Sequence, residues 1–193
     1  MPRTAPWTGS LMIVAVSGPP GSGKTTVAER IAKTHRYELV SVGALFRERA
    51  DDFSMSLEKF GRYAEEHPVI DKELDANALR RVEALMKEGK DVVVDGRLQP
   101  WLLKKNGIPC LTVLIDAPFG VRAERIAGRE GKSLEQAKKE LRERERSERT
   151  RYLKIYGIDV RDASAFDLVV DSSDKSPEAV MAILEERVAK WAS

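Results

Sequence analysis

Apolar residues in this chain fall into two alternating patterns. Short, nearly uninterrupted apolar runs occur at Leu11–Val16, Tyr37–Val42, Asp91–Asp95 (with Val92, Val93 and Val94 at its centre), Leu111–Ile115 and Leu168–Val170. Their length and β-branched content suit strands buried on both faces. Between them, apolar positions recur every three or four residues. That spacing predicts a helix from about Lys24 to His35, with Val27, Ile31 and Ala32 inward, and another opened by Gly43 through Leu45 and Phe46. Ser56 is a fitting N-cap for a helix over Leu57–Glu66, which Pro68 ends. Ile70–Glu88 reads as helix, closed by Gly89. A short helix over Val121–Ala127 is expected to end at Gly128. A capping box at Ser133–Gln136 opens a long charged helix to about Tyr156, and Ser176-Pro177 opens the last one, to Trp191. The polar and aromatic stretch around Trp101 and Asn106-Gly107 receives no element, and Met1–Ser10 read as a flexible leader.

Strands that alternate with helices predict an α/β fold, a three-layer sandwich around a five-stranded parallel sheet. A length of 193 residues fits one domain. Net charge is only +2, so no global basic field points to nucleic acid. No apolar run approaches the ~20 residues of a membrane-spanning helix, and no signal peptide is expected. The single cysteine, Cys110, has no partner for an internal disulfide. It reads as a buried thiol in a reducing cytoplasm.

Chemistry enters at the first strand–helix junction. Gly18-Pro19-Pro20-Gly21-Ser22-Gly23-Lys24-Thr25 satisfies G-x-x-x-x-G-K-[ST], with a predicted strand before it and a helix after it. Glycines let backbone N–H groups turn inward around a phosphate, and the helix N-terminus adds partial positive charge. Lys24 is placed to bridge β- and γ-phosphates, and the Thr25 hydroxyl to ligate Mg²⁺.

Other candidates follow from strand ends and helix faces. Asp95-Gly96-Arg97 ends a predicted strand, where open α/β sheets bind ligands. Asp95 can hold a magnesium-bound water or accept from a substrate, and Arg97 can hold a phosphate bidentately. Asp116 ends another strand and reads equally as a magnesium-site carboxylate or a turn residue. Arg125 and Arg129 share a helix face by spacing, suited to stacking on a base or holding phosphate, or simply solvated. Arg122 to Lys154 contains twelve basic and seven acidic residues, most of which suit a solvated helix. Within it Arg144, Glu148 and Arg151 fall on one face, so Glu148 could orient arginines aimed at an active site. His35 and His67 receive no catalytic role, and Trp101 is expected to pack.

Taken together these residues resemble the nucleoside monophosphate kinase family over nearly the whole chain. Arg125-Ile-Ala-Gly-Arg129 resembles the R-x-x-G-R element before that family's mobile lid. There the first arginine stacks on the ATP adenine and the second contacts phosphate. The short archaeal-type cytidylate kinases are most similar. The matching stretches are Gly18–Thr26, Ser41–Arg47, Tyr63–Glu66, Ile70–Glu73, Asp95–Leu98, and Arg144-x-x-Ser-Glu-x-x-Arg-Tyr152 with Ile155–Asp159. The resemblance implies a single kinase domain. Its core would comprise 11–42, 89–128 and 157–193, with a monophosphate-binding part at 43–88 and a lid with an arginine-bearing helix at 129–156. It implies ATP with Mg²⁺, CMP or dCMP as acceptor, and action as a cytoplasmic monomer without nucleic acid or membrane. It assigns Gly43, Arg47, Asp95, Gly96 and Arg97 to CMP, and Arg129, Arg144 and Arg151 to the phosphates, with Glu148 between the last two.

Bacterial cytidylate kinases carry Asp-Ser where this chain has Ser41-Val42, so base recognition is built differently here. Asp71 or Asp75 is a candidate to accept from the cytosine amino group, with helix surface as the alternative for both. The D-G-F-P-R of adenylate kinases is replaced by Asp95-Gly-Arg-Leu-Gln99. An adenylate or shikimate-type kinase and a nucleotide-gated RNA-binding protein are the alternatives.

Overall fold

The computed structural model describes residues 11–191, so the expected leader lies outside the described residues. Five strands, β1 (Ile13–Ser17), β2 (Glu38–Ser41), β3 (Val92–Asp95), β4 (Leu111–Asp116) and β5 (Leu168–Asp171), form one parallel sheet in the order β2-β3-β1-β4-β5. Among the described residues the eight α-helices are α1 (Lys24–His35), α2 (Val42–Asp52), α3 (Leu57–Glu66), α4 (Val69–Lys87), α5 (Gln99–Lys105), α6 (Phe119–Glu130), α7 (Leu134–Tyr156) and α8 (Pro177–Trp191).

Alternation along the buried strands feeds two cores. Val14 and Val16 face α1 and α8 with Val27, Ile31 and Leu184, whereas Ile13 and Ala15 face α4 and α5 with Val82, Leu85 and Leu103. Burying strands on both faces accounts for their nearly continuous apolar runs. Cys110 belongs to the second core, and burial raises its thiol to about 11. A third cluster holds α2, α3 and α4 together around Phe60, which meets Phe46 edge-on at 4.9 Å. A fourth joins α6 to α7 through Ile126 and Leu141.

Three boundaries differ from the sequence expectations. The stretch around Trp101 is helical as α5, because Leu103 docks into the second core and Trp101 packs edge-on against Phe166 at 5.1 Å. Its periodicity was too short to read. The helix expected to end at Gly128 runs on to Glu130, and Gly131 is the residue with the left-handed turn conformation (φ 63°). The helix placed at Gly43 starts at Val42, because the Ser41 hydroxyl accepts from Ala44 N–H at 3.3 Å. No helix among the described residues is long and apolar enough to cross a membrane.

Register brings the strand ends to one edge. Val16 and Ser41 both pair with Asp95, and Asp116 pairs with Asp171. The loop from Gly18 to Gly23 leaves that edge and hands over to α1 at Lys24. Gly18 is required by close approach, because a Cβ there would collide with the Ile115 carbonyl.

Candidate active site

A deep cleft opens above the β1 and β3 ends, floored by Lys24, Thr25 and Asp95. α2 and α4 form one wall and α7 the other. α7 is fixed from both sides, through Leu141 against α6 and through Ser147, whose hydroxyl donates to the Gly61 carbonyl of α3 at 3.2 Å. The helix face carrying Arg144, Glu148 and Arg151 therefore turns into the cleft.

Asp95 is almost fully buried. Its Oδ2 accepts from the Thr25 hydroxyl at 2.9 Å and from the Ser41 hydroxyl at 3.0 Å. Its Oδ1 is buried with no hydrogen-bond partner. A buried carboxylate oxygen rarely stays unpaired. One beside a hydroxyl ligand suits a hard divalent cation with its waters, so these residues fit Mg²⁺. Asp116 does not share this corner. Its carboxylate accepts from its own Ala117 N–H at 2.8 Å, the turn alternative.

Above the floor, Glu148 accepts from Arg97 Nε and from Arg144 Nε, each at 3.0 Å. Burial alone would raise the Glu148 carboxyl, but Arg144, Arg97, Arg151 and Lys24 outweigh it and hold it at about 2. Lys24 is pushed the other way. Desolvation lowers its ammonium to about 8, against the pull of Asp95 and with help from Arg144 and Arg97. The cleft is thus short of negative charge, a deficit that bound phosphates would fill.

Farther along, Arg151 Nε meets Asp71 Oδ2 at 2.8 Å, with both side chains nearly fully buried. Asp75 accepts from Gln99 Nε2 at 3.0 Å and from the Tyr156 hydroxyl at 2.7 Å. Burial raises Asp75 to about 6 despite those donors, with Asp71 adding to the rise. Asp71 is also raised by burial, with Arg151 opposing. Neither is helix surface. An isolated buried ion pair adds little stability over apolar packing of the same volume. Two such carboxylates at the end of a cationic cleft therefore call for a functional reading.

Gly43, Arg47, Gly96 and Arg97 line the same cleft. Arg47 makes no ion pair among the described residues. Gly96 leaves room for the Gln99 carboxamide, with which a Cβ would collide. On the other side of the phosphate loop, Ser22, Gly23, Thr26 and Arg125 line a separate groove. Arg125 donates to the Ser172 hydroxyl at 3.1 Å and to the carbonyl oxygens of Ser22 and Ser173, each at 3.3 Å. Arg129 is not brought to either. It is exposed and paired with Glu130 at 2.6 Å.

The sequence reading missed four residues that shape the site. Ser41 orients Asp95 while capping α2; its position before a predicted helix was the available signal. Gln99 and Tyr156 hold Asp75, and Tyr152 lines the cleft beside Arg151. Gln99 and Tyr156 meet at Asp75 only through tertiary packing.

A glycine-rich phosphate loop with a lysine, set beside an arginine-walled cleft at the carboxyl edge of a parallel sheet, defines a P-loop kinase. The chain belongs to the cytidylate kinase-like family, whose model matches residues 13–174. The cytidylate kinase of Pyrococcus abyssi (strain GE5 / Orsay) is 45% identical over 177 residues, covering 92% of this chain and 93% of that one. The cytidylate kinase of Methanocaldococcus jannaschii is 44% identical over 178 residues, covering 92% and 97%. Among solved structures, a shikimate kinase from Acinetobacter baumannii in complex with shikimate superposes with a TM-score of 0.58. It covers 93% of this chain and 94% of that one at 17% identity, a likeness of fold alone.

Proposed function

We infer that this chain is a cytidylate kinase, transferring the γ-phosphoryl group of ATP to CMP, with dCMP as a second acceptor, to give ADP and the cytidine diphosphate. The observation that carries this reading is the convergence of Lys24, Arg97, Arg144 and Arg151 in one cleft that ends at Asp71 and Asp75.

The residues divide the work. The backbone of Gly18, Pro19, Pro20, Gly21, Ser22, Gly23, Lys24, Thr25 and Thr26 cradles the ATP phosphates, apart from the N–H that the prolines lack, and the Lys24 ammonium bridges β and γ. Arg125 packs the adenine in its groove. Arg47 and Arg97 hold the CMP phosphate, and Gly43 and Gly96 let the backbone approach it. Asp71 or Asp75 accepts from the cytosine amino group, a donor that uracil lacks. Thr25 would ligate Mg²⁺ directly and Asp95 through a water. The ion supplies neutralisation of the β- and γ-oxygens when bound.

Transfer then needs positioning more than proton chemistry. A CMP phosphate oxygen attacks the γ-phosphorus, and the bond to the β–γ bridging oxygen breaks with its electron pair leaving on ADP. The attacking group is already anionic, so no general base is required. Arg144 and Arg151 stabilise the charge spread over the transferring group, and Glu148 keeps Arg97 and Arg144 aimed at it. Closure of the segment near 129–140 as a lid would bring Arg144 and Arg151, with Arg129, onto the phosphates and exclude water. A monomer in the reducing cytoplasm suits the free, buried Cys110.

The test is ADP release from MgATP with CMP, dCMP, UMP, AMP, GMP and shikimate offered separately. Turnover with CMP and dCMP, lost in Lys24→Ala, is the expected result. Turnover with AMP alone would keep the ATP site and overturn the base assignment.

A further inference from the structure

α7 has a second face that the proposed reaction does not use. Behind it lies a cavity of about 530 Å³, between α7, the end of β4, the start of α6 and the segment 160–161. Six guanidiniums line it, those of Arg97, Arg122, Arg142, Arg146, Arg149 and Arg161, against only two lining carboxylates, Asp116 and Glu145.

Counterions do not exhaust this charge. Arg122 is taken up by Glu145 and by the Ala117 carbonyl at 2.8 Å, and Arg97 by Glu148. Arg149 and Arg161 share a single carboxylate, Asp159, at 3.2 and 2.8 Å. Arg142 lies over the Phe119 ring at 5.2 Å. Neither Arg142 nor Arg146 forms an ion pair among the described residues. Of the two lining carboxylates, Glu145 is paired with Arg122 and Asp116 Oδ1 is engaged by Ala117 N–H. Leu114, Leu153 and Val160 give the cavity an apolar side. It is recessed between a helix and a sheet edge, which suits a small anion rather than a polymer. Arg97 and Arg146 line both this cavity and the catalytic cleft, and Pro19 of the phosphate loop borders the cavity, whereas Lys24, Thr25 and Asp95 line the cleft alone.

We propose that this cavity is a second anion site, which binds a compact multiply charged phosphate chain between the guanidiniums of Arg142, Arg146, Arg149 and Arg161. Several planar forks at one cavity match the geometry of phosphate oxygens. The chain could be free or carry a nucleoside, whose base would lie on the apolar side.

Calorimetric titration of the full chain with tripolyphosphate at low salt tests this. The wild type is expected to bind two equivalents. Lys24→Met removes the phosphate-loop equivalent and keeps the other. Arg142→Ser/Arg149→Ser weakens the other at least tenfold, keeps the phosphate-loop equivalent, and leaves turnover with the best acceptor unchanged. The Lys24→Met protein is then titrated with ATP. Tenfold tighter binding than tripolyphosphate assigns the site to a nucleotide, and equal affinity assigns it to the phosphate chain alone. A single equivalent lost in Lys24→Met would overturn the proposal, as would two equivalents surviving in the double variant. So would a Lys24→Met protein that binds an RNA oligonucleotide but no tripolyphosphate. The test reads binding in both variants, so it stands whether or not CMP is the acceptor.

Discussion

The Glu148 carboxylate is clasped by two arginines from different parts of the chain, Arg97 after β3 and Arg144 one turn earlier on α7, each at 3.0 Å. One buried charge therefore ties the sheet edge to the helix that walls the cleft. It sets both guanidiniums before any substrate arrives, which is how positioned charges become effective in phosphoryl transfer.

Replacing Glu148 by Gln keeps the shape and removes the charge. Turnover is expected to fall by ~10–100-fold, in line with the loss of ~1.4–2.7 kcal/mol of transition-state stabilisation. The pH dependence of stability is a second readout. A carboxyl held at about 2 rather than 4.5 contributes roughly 3 kcal/mol. Because the folded value is depressed, that contribution is full above about pH 4.5 and is lost as pH falls toward 2. Thermal unfolding of the wild type should weaken across this window more steeply than that of Glu148→Gln.

Asp75 has the opposite sign. Its folded value is raised to about 6, so the folded state holds a proton that the unfolded state has released. Stability from this group is full below about pH 3.8 and is lost as pH rises to about 6, an effect of roughly 3 kcal/mol. Asp75→Asn should remove that loss and unfold at a higher temperature than the wild type at pH 8. If Asp75 reads the amino group, the same variant raises KM for CMP at least tenfold with KM for ATP unchanged. An unchanged KM for CMP would leave Asp71 as the reader.

Lys24→Met is expected to abolish turnover, by ~10³-fold or more if one preorganised charge supplies several kcal/mol. It should also stabilise the unliganded protein. The ammonium is lowered from 10.5 to about 8, so at neutral pH its charge costs the fold roughly 3 kcal/mol. That cost grows as pH falls from 10.5 to about 8 and is constant below. Chemical denaturation at pH 7 checks the direction, and a destabilised variant would contradict it.

Arg151 and Asp71 form a nearly fully buried pair at 2.8 Å. Arg151→Leu alone should cost ~3–5 kcal/mol, because it strands a buried charge. Arg151→Leu/Asp71→Leu should recover most of that stability while remaining inactive. A double-mutant cycle on denaturation midpoints and turnover separates the two contributions.

Arg125→Ala should raise KM for ATP several-fold while leaving KM for CMP unchanged, since Arg125 lines the groove on the far side of the phosphate loop. Arg129→Ala should lower kcat without changing stability by more than about 0.5 kcal/mol, because Arg129 is an exposed surface residue. Steady-state kinetics in each substrate and a melting curve check both.

Features that depend on local pattern are legible in the chain of residues. Strands such as the one carrying Val92, Val93 and Val94 announce themselves by composition, since burial on both faces favours apolar, β-branched residues. The phosphate loop is legible because its chemistry uses consecutive backbone groups, and the shared face of Arg144, Glu148 and Arg151 follows from helix geometry. Contacts between distant elements were decided by tertiary structure alone. α5 became visible only when Leu103 found the second core. Periodicity could not say that α7 turns Glu148 inward and leaves Arg142 and Arg149 to a cavity behind it. Nor could it bring Gln99 and Tyr156, from different helices, onto Asp75. Side chains far apart in the chain meet only when the sheet order and helix packing bring their elements together, and that arrangement carries no local signature.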